Sequence, residues 1–110
     1  MAIKKTEEFC PADRYKYDWG LPGDFAQIDT EQDAEYFGTW ASAQRLVIFC
    51  YCEGDCTTTE CDTAEEFRSE VLKIKQWNEQ QGLKFRGIDP GLKPERKQLW
   101  FDAGLGELLH

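Results

Sequence analysis

A chain of 110 residues has room for one hydrophobic core, and we expect a single domain spanning residues 1–110. Its 41% hydrophobic and 14% aromatic content is too apolar for an intrinsically disordered chain. The formal net charge of −8 at pH 7 disfavours direct binding to nucleic acid and favours a basic partner.

The sequence predicts neither a membrane span nor a secretory signal. The longest apolar run, residues 46–52, is far shorter than the roughly 20 residues that cross a bilayer. The N-terminal residues are polar overall, and no apolar stretch follows them. We therefore expect a cytoplasmic protein with reduced cysteines, present as a monomer or a small homo-oligomer.

Residues 1–28 predict an irregular, aromatic-rich segment that precedes an α+β core over residues 29–110. Two prolines and two glycines interrupt this segment, while Tyr15, Tyr17 and Trp19 alternate with charged residues as in an edge strand. We expect the three aromatic side chains to cover one face of a sheet. An alternative is that they form a contact surface between subunits.

Residues 31–37 predict a short helix that begins after Thr30 and ends at Gly38. Thr30 is a suitable N-cap, and the acidic residues that follow it suit the first turn of a helix. In a strand, these acids would share one face, but the opposite face would bury little apolar surface. The helix is therefore the preferred interpretation.

A central hairpin over residues 45–53 and 56–61 is predicted next, after a short strand over 39–42. Residues 46–52 are the strongest strand signal in the chain, and the pair Gly54-Asp55 suits a two-residue turn. With that turn, Cys52 would pair with Thr57. Leu46, Ile48, Cys50 and Cys52 are expected to face the main helix.

The main helix is predicted over residues 63–81. Thr63 and Glu66 have the spacing of a capping box, and Gly82 is suited to end the helix. Its core-facing side is traced by a set of spaced residues, with Trp77 beside it: Phe67, Val71, Ile74 and Asn78.

The C-terminal part predicts a short strand over 83–88, a turn at 89–91 and a short last helix beginning at Pro94. Together these elements predict an α+β fold. Its antiparallel sheet has three to four strands around the central hairpin and packs against the main helix and a short C-terminal helix.

Four of the five cysteines lie within residues 50–61 and are the only cluster suggestive of metal or redox chemistry. The predicted hairpin places Cys50, Cys52 and Cys61 on one face and Cys56 on the other, so four thiolates cannot meet at one ion. A three-cysteine site, including one that uses Cys10, stays open. We expect no cofactor and treat the cysteines as small buried residues.

Catalysis is not predicted, and we expect a protein that is not an enzyme. The single histidine, His110, is the last residue, so the usual base of Ser-His and Cys-His sites is missing from the folded part. No glycine-rich nucleotide loop and no nucleophile elbow occur.

An acidic segment dominates the charge pattern. Between Asp29 and Glu66, ten acidic residues are accompanied by one basic residue, Arg45. We predict a protein-binding or inhibitor domain, nucleic-acid mimicry included, whose acidic face engages a basic protein surface. Its partner-binding residues are Asp29, Glu31, Asp33, Glu35, Glu53, Asp55 and Glu60.

Two other classes of function stay open. The first is a metal or thiol redox protein that uses Cys50, Cys52 and Cys61. The second is a structural subunit whose aromatic N-terminal segment forms an oligomer interface.

Overall fold

In the computed structural model, the chain is described at residues 3–9, 25–31, 37–52, 55–91 and 93–109. Six strands form one sheet in the spatial order β1-β5-β4-β3-β2-β6, and each neighbouring pair is antiparallel. The strands are β1 (Ile3–Phe9), β2 (Ala26–Thr30), β3 (Phe37–Ser42), β4 (Val47–Cys52), β5 (Asp55–Cys61) and β6 (Phe85–Asp89). The helices are α1 (Ala64–Gln80) and α2 (Pro94–Asp102), with a 3₁₀ turn at Gly106–Leu108.

The predicted α+β class is confirmed, with an antiparallel sheet on one main helix and a short C-terminal helix. The sheet has six strands rather than three to four, because two of them lie in the part predicted to be irregular or helical. β1 lacks apolar alternation and is joined to the sheet by backbone pairing with β5. Residues 3–9 and 26–28 therefore belong to the sheet and not to an irregular segment.

β2 corrects the interpretation of Thr30. Ala26, Ile28 and Thr30 are buried along the strand, while Gln27 and Asp29 are more accessible, which is the alternation of a half-buried strand. Thr30 is therefore a strand residue and not a helix cap. The predicted helix over 31–37 is wrong at Phe37, which begins β3, and residues 32–36 lie outside the described part.

The central hairpin is confirmed, with a register two residues away from the prediction. Cys52 pairs with Asp55 and Cys50 pairs with Thr57, so Asp55 belongs to the strand and not to the turn. Because the shift is even, it leaves every side chain on its predicted face. β4 begins at Val47, because residues 43–46 form a turn.

α1 closely matches its prediction. The Glu66 backbone N–H donates to Thr63 Oγ1 at 3.1 Å, and the Thr63 hydroxyl donates to Glu66 Oε1 at 3.1 Å. The helix ends at Gln80 with Gln81 as its C-cap, and Gly82 follows with a φ of 77° that glycine adopts without strain. α2 begins at Pro94, as its fixed φ favours.

The main core lies between the sheet and the two helices. Ile28, Ile48 and Ile88 from the sheet belong to the same buried cluster as Phe67 of α1 and Trp100 of α2. The Phe67 and Trp100 ring centroids are 5.6 Å apart. We call this side of the sheet the helix-facing side, and it is the side predicted for Ile48.

A second buried cluster occupies the opposite, outer side of the sheet. Phe49, Tyr51 and Cys56 are buried there, with Phe25 and Trp40 packed against them. Both sides of the sheet are thus covered, as the apolar β4 sequence indicates. The predicted covering residues Tyr15, Tyr17 and Trp19 lie outside the described part.

Candidate functional site

A cleft of about 380 Å³ lies between the helix-facing side of the sheet and the C-terminal half of α1. β3, β4 and β5 form one wall and α1 forms the other. Its lining residues are Thr30, Phe37, Gly38, Thr39, Ile48, Cys50, Tyr51, Cys52, Thr57, Thr59, Glu70, Lys73, Ile74, Trp77 and Asn78.

The cleft exists because the sheet carries short side chains beneath this part of α1. Under the N-terminal half of the helix, Ile48 lies in the buried cluster that also contains Phe67 and Val71. Towards the hairpin end, the same side of the sheet presents Cys50 and Thr57 instead. These short side chains do not fill the space to the helix, and so a gap interrupts the close packing.

Apolar side chains form much of the α1 wall and the rim. Ile74 is partly buried against the core, while Trp77 is 48% exposed, which is unusual for so large an apolar side chain. Phe37 contributes a second aromatic ring from β3. An exposed aromatic beside an apolar cleft is typical of a ligand-binding surface.

Asn78 is the most deeply buried polar side chain that lines the cleft. It is only 3% exposed, and its Nδ2 donates to the Ile74 carbonyl at 2.8 Å. Its Oδ1 is buried and has no hydrogen-bond partner within the described part of the chain. Such a buried acceptor costs about 1–3 kcal/mol when it is left unsatisfied.

Glu70 and Lys73 form the charged pair of the cleft. Lys73 Nζ lies 2.8 Å from Glu70 Oε2, and the lysine side chain is 68% exposed whereas that of Glu70 is 7% exposed. The hydrogen bond and charge of Glu70 raise the pKa of Lys73. Because the pKa of Lys73 is raised, the lysine is protonated at neutral pH, and its loss of charge removes the contact only in strong alkali.

The cysteines separate into three environments. Cys50 and Cys52 line the cleft, and the Thr39 hydroxyl donates to Cys50 Sγ at 3.7 Å. Cys61 belongs to the buried core four residues beyond Thr57, roughly 13 Å further along the strand. No group of three potential ligands gathers around a metal position in the described residues. The predicted cluster of Cys50, Cys52 and Cys61 therefore shares a face without converging.

Cys56 corrects the expectation that the thiols are all reduced. It is disulfide-bonded and fully buried on the outer side, while Cys50, Cys52 and Cys61 belong to no disulfide. Its partner is therefore not among the described residues. Sequence spacing could not reveal this bond, because pairing between distant cysteines depends on which strands become neighbours.

The predicted partner-binding acids occupy several parts of the sheet. Asp29 Oδ1 lies 3.7 Å from Arg86 Nη1, and a carboxylate oxygen of Glu31 accepts the Lys84 backbone N–H at 2.9 Å. Both acids therefore contact residues 84–86, at the start of the neighbouring strand β6.

The other two described acids of that set lie on β5. Asp55 and Glu60 are exposed, but five positions along one strand place them on opposite sides of the sheet. Glu60 also lies opposite Lys4 in the strand register. Asp33, Glu35 and Glu53 lie outside the described residues.

Sequence reasoning missed the cleft, although the chain carried a signal for it. Asn78 interrupts the apolar face of α1, and Thr57 and Thr59 occupy positions that face the core. Polar residues on an apparent core face indicate a gap or a polar site.

Comparison of the chain with protein-family models, curated proteins and solved structures gives no match. Within the described residues, no helix combines the length and the apolar character that a membrane span requires.

Proposed function

We propose that this chain is a non-catalytic binding domain and that the cleft beneath α1 holds a small ligand. The observation that carries the proposal is the cleft itself, whose volume of about 380 Å³ falls in the usual range of ligand pockets. It combines an apolar wall with a few polar groups, which is the usual composition of such sites. The non-catalytic part of the proposal is supported by composition, since the sequence has one histidine, His110, and no nucleophile elbow or glycine-rich nucleotide loop.

Filling the cleft is the direct test. Thr57 lines it from β5, whereas Thr58 points to the outer side of the sheet. We expect Thr57→Phe to weaken binding of the uncharged fluorophore N-phenyl-1-naphthylamine by about tenfold or more, because the ring occupies the space of the probe. The measurement is a fluorescence titration, since emission rises when the probe enters an apolar site.

Thr58→Phe is the matched control, with the same substitution on the other side of the strand. Its affinity for the probe should stay within about twofold of the unmodified protein. The proposal fails if the unmodified protein shows no saturable binding. It also fails if both variants bind the probe equally well.

A second candidate is binding to a basic protein surface through acidic side chains. What supports it is the net charge of −8 together with three exposed acids within six residues at the junction of β5 and α1: Glu60, Asp62 and Glu65. Only Glu60 belongs to the originally predicted set. Exposed acids of this kind attract a basic partner and accelerate its association.

Charge reversal tests this second candidate. The immobilised, unmodified chain should capture proteins from a host extract at low salt. The double variant Asp62→Lys, Glu65→Lys should capture fewer of them, because it reverses two charges of the acidic surface. The control Glu95→Lys, Glu107→Lys changes net charge equally, and Glu65 and Glu95 both occupy the second position of a helix. Equal loss in both variants would indicate a general charge effect and contradict the proposal.

The proposal also includes the cellular compartment of the protein. The sequence predicts a cytoplasmic protein, whereas a structural disulfide such as that of Cys56 is typical of oxidising compartments. We favour the oxidising compartment on this ground. The monomeric or small homo-oligomeric state stays a prediction.

A further inference from the structure

We propose that β1 is a dimer interface, at which the sheet of this chain continues into the sheet of a second copy. The two β1 strands run antiparallel, with Thr6 opposite Thr6 of the second copy at the twofold axis. The dimer goes beyond the proposed function and does not depend on the cleft. Three features carry the inference: the place of β1 in the sheet, the direction of its backbone groups and the order of its charges.

β1 forms one edge of the six-stranded sheet. Among the described residues it pairs with β5 alone, in a register that runs from Ile3 to Phe9 without a bulge. Its seven residues include no proline and no glycine that would interrupt further pairing. A regular edge strand of this kind offers its outward backbone N–H and C=O groups to another strand.

The opposite edge of the sheet is interrupted. β6 has five residues, and Ile88 forms a parallel bridge with Leu109, which follows the 3₁₀ turn. The pairing of β6 with β2 shifts register after Asp29, and Gly87 has a φ of 129° that lies outside regular strand geometry. The two edges therefore differ, and β1 is the one suited to a further strand.

One hydrogen bond indicates the direction of the backbone groups in β5 and β1. The Cys61 N–H donates to the Leu46 carbonyl at 2.9 Å and therefore points to the β4 side of β5. Because these groups alternate along a strand, those of Thr58 point to β1 and face Thr6, its register partner. By the same alternation, the β1 residues whose backbone groups point to the open edge are Ile3, Lys5, Glu7 and Phe9.

This alternation restricts how a second β1 can pair. In an antiparallel ladder, outward-pointing groups meet outward-pointing groups, so the permitted registers differ by steps of two residues. The register centred on Thr6 places Lys5 opposite Glu7 of the second copy. The next permitted registers on either side place Lys5 opposite Lys5 or Glu7 opposite Glu7. Like charges directly opposite each other are destabilising, so the Thr6-centred register is favoured.

The sequence of β1 is complementary to itself in that register. Two basic residues precede Thr6, and two acidic residues follow it. Opposite charges and apolar residues then meet across the interface: Ile3 with Phe9, Lys4 with Glu8 and Lys5 with Glu7. Each of these pairs occurs twice by symmetry, and cross-strand pairs of both kinds stabilise a sheet.

Pairing with β5 does not account for this charge order. In the β1–β5 register, three of the four charged residues of β1 lie opposite uncharged residues: Lys5 opposite Thr59, Glu7 opposite Thr57 and Glu8 opposite Cys56. Charges on an edge strand commonly prevent pairing with other strands. A positive half followed by a negative half keeps that protection against most strands and allows pairing with a second copy.

Charge exchange between positions 5 and 7 tests this arrangement. Sedimentation equilibrium of the unmodified protein should show a reversible dimer. Lys5→Glu and Glu7→Lys should each weaken it by about tenfold or more, because each places like charges opposite each other in two symmetric pairs. The double variant with both substitutions should restore the dimer, and an equimolar mixture of the two single variants should form a mixed dimer.

Lys97→Glu is the matched control, because it makes the same change of charge at an exposed residue of α2. Its dimer should be within about twofold of the unmodified protein in affinity. No dimer up to about 1 mM protein would overturn the inference. So would a dimer that the single variants do not weaken, or a double variant that stays as weak as they are. Non-reducing gel electrophoresis excludes a dimer joined by a disulfide.

Hydrogen exchange tests the interface without any substitution, so the result stands even if a variant does not fold. In the dilute monomer, the Lys5 and Glu7 amides should exchange faster than the Thr6 amide, which faces β5. When about nine tenths of the chains are dimeric, exchange at Lys5 and Glu7 should slow about tenfold, because it then proceeds through the remaining monomer. Slowing that is confined to residues outside β1 would place the interface elsewhere and overturn the inference.

Discussion

Replacing Phe67 with alanine should lower the free energy of unfolding by about 3–5 kcal/mol, the usual cost of removing a fully buried aromatic side chain. Phe67 has no exposed surface, and its ring packs against Trp100 at a centroid distance of 5.6 Å. It lies in the first turn of α1, where the helix meets the core. The alanine variant leaves a cavity at the contact between α1 and α2, which the surrounding residues fill only in part.

Denaturant unfolding followed by far-ultraviolet circular dichroism measures this loss. Phe101→Ala is the matched control, because the same substitution is made at a residue that is 57% exposed on α2. Its expected cost is about 1 kcal/mol or less. Similar losses in the two variants would show that Phe67 is not the anchor of α1 that the structure indicates.

Replacing Cys56 with serine should cost about 2–5 kcal/mol of stability under non-reducing conditions. The substitution removes the disulfide, which restricts the unfolded chain, and it places a hydroxyl at a fully buried position. In a domain of this size, whose total stability is about 5–15 kcal/mol, the change is large. Denaturant unfolding with and without a reducing agent measures it.

The controls for Cys56 separate the disulfide from the side chain. Cys52→Ser, at an exposed cysteine outside any disulfide, should change stability by less than about 0.5 kcal/mol. With a reducing agent, the difference between Cys56→Ser and the unmodified protein should shrink to the cost of the serine alone. Labelling of the denatured, unreduced protein should find three thiols. Five labelled thiols would contradict the disulfide.

Local patterns predicted the parts of the fold in which neighbouring residues determine the structure. α1 was predicted to within a residue or so of its ends because Thr63 supplies the cap and Gly82 can adopt the left-handed backbone that ends a helix. β4 was clear from its continuous apolar run. β1 was not, since an edge strand is held by backbone pairing and needs no apolar pattern.

The hairpin shows the limit of turn preferences. Gly54-Asp55 suits a tight turn, but Asp55 pairs with Cys52 and therefore belongs to β5. The turn preferences of the residues differ little from one possible strand register to the next. The register is therefore determined by how well the two whole strands pair. The predicted faces were correct only because the error was an even number of residues.

The acidic segment shows why charge along the chain does not predict charge in space. Residues 29–66 run from β2 through β3, β4 and β5 into α1 and therefore cross much of the sheet. Alternation within a strand then sends Asp55 and Glu60 to different sides. Asp29 obtains a partner, Arg86, that lies 57 positions away in the sequence.

The cleft could not be predicted because it depends on which side chains the fold brings face to face. Thr57 and Asn78 belong to different elements, and neither sequence environment shows that they share a wall. The two residues are individually unusual for core positions. Only the docking of α1 over β4 and β5 turns those separate anomalies into one space.

The same docking supports the two halves of α1 differently. Its first turns pack into the core through Phe67 and Val71, while Trp77, further along the helix, lines the cleft. Removing a side chain from the first turns therefore leaves a new hole in a packed interior, whereas removing Trp77 enlarges a space that already exists.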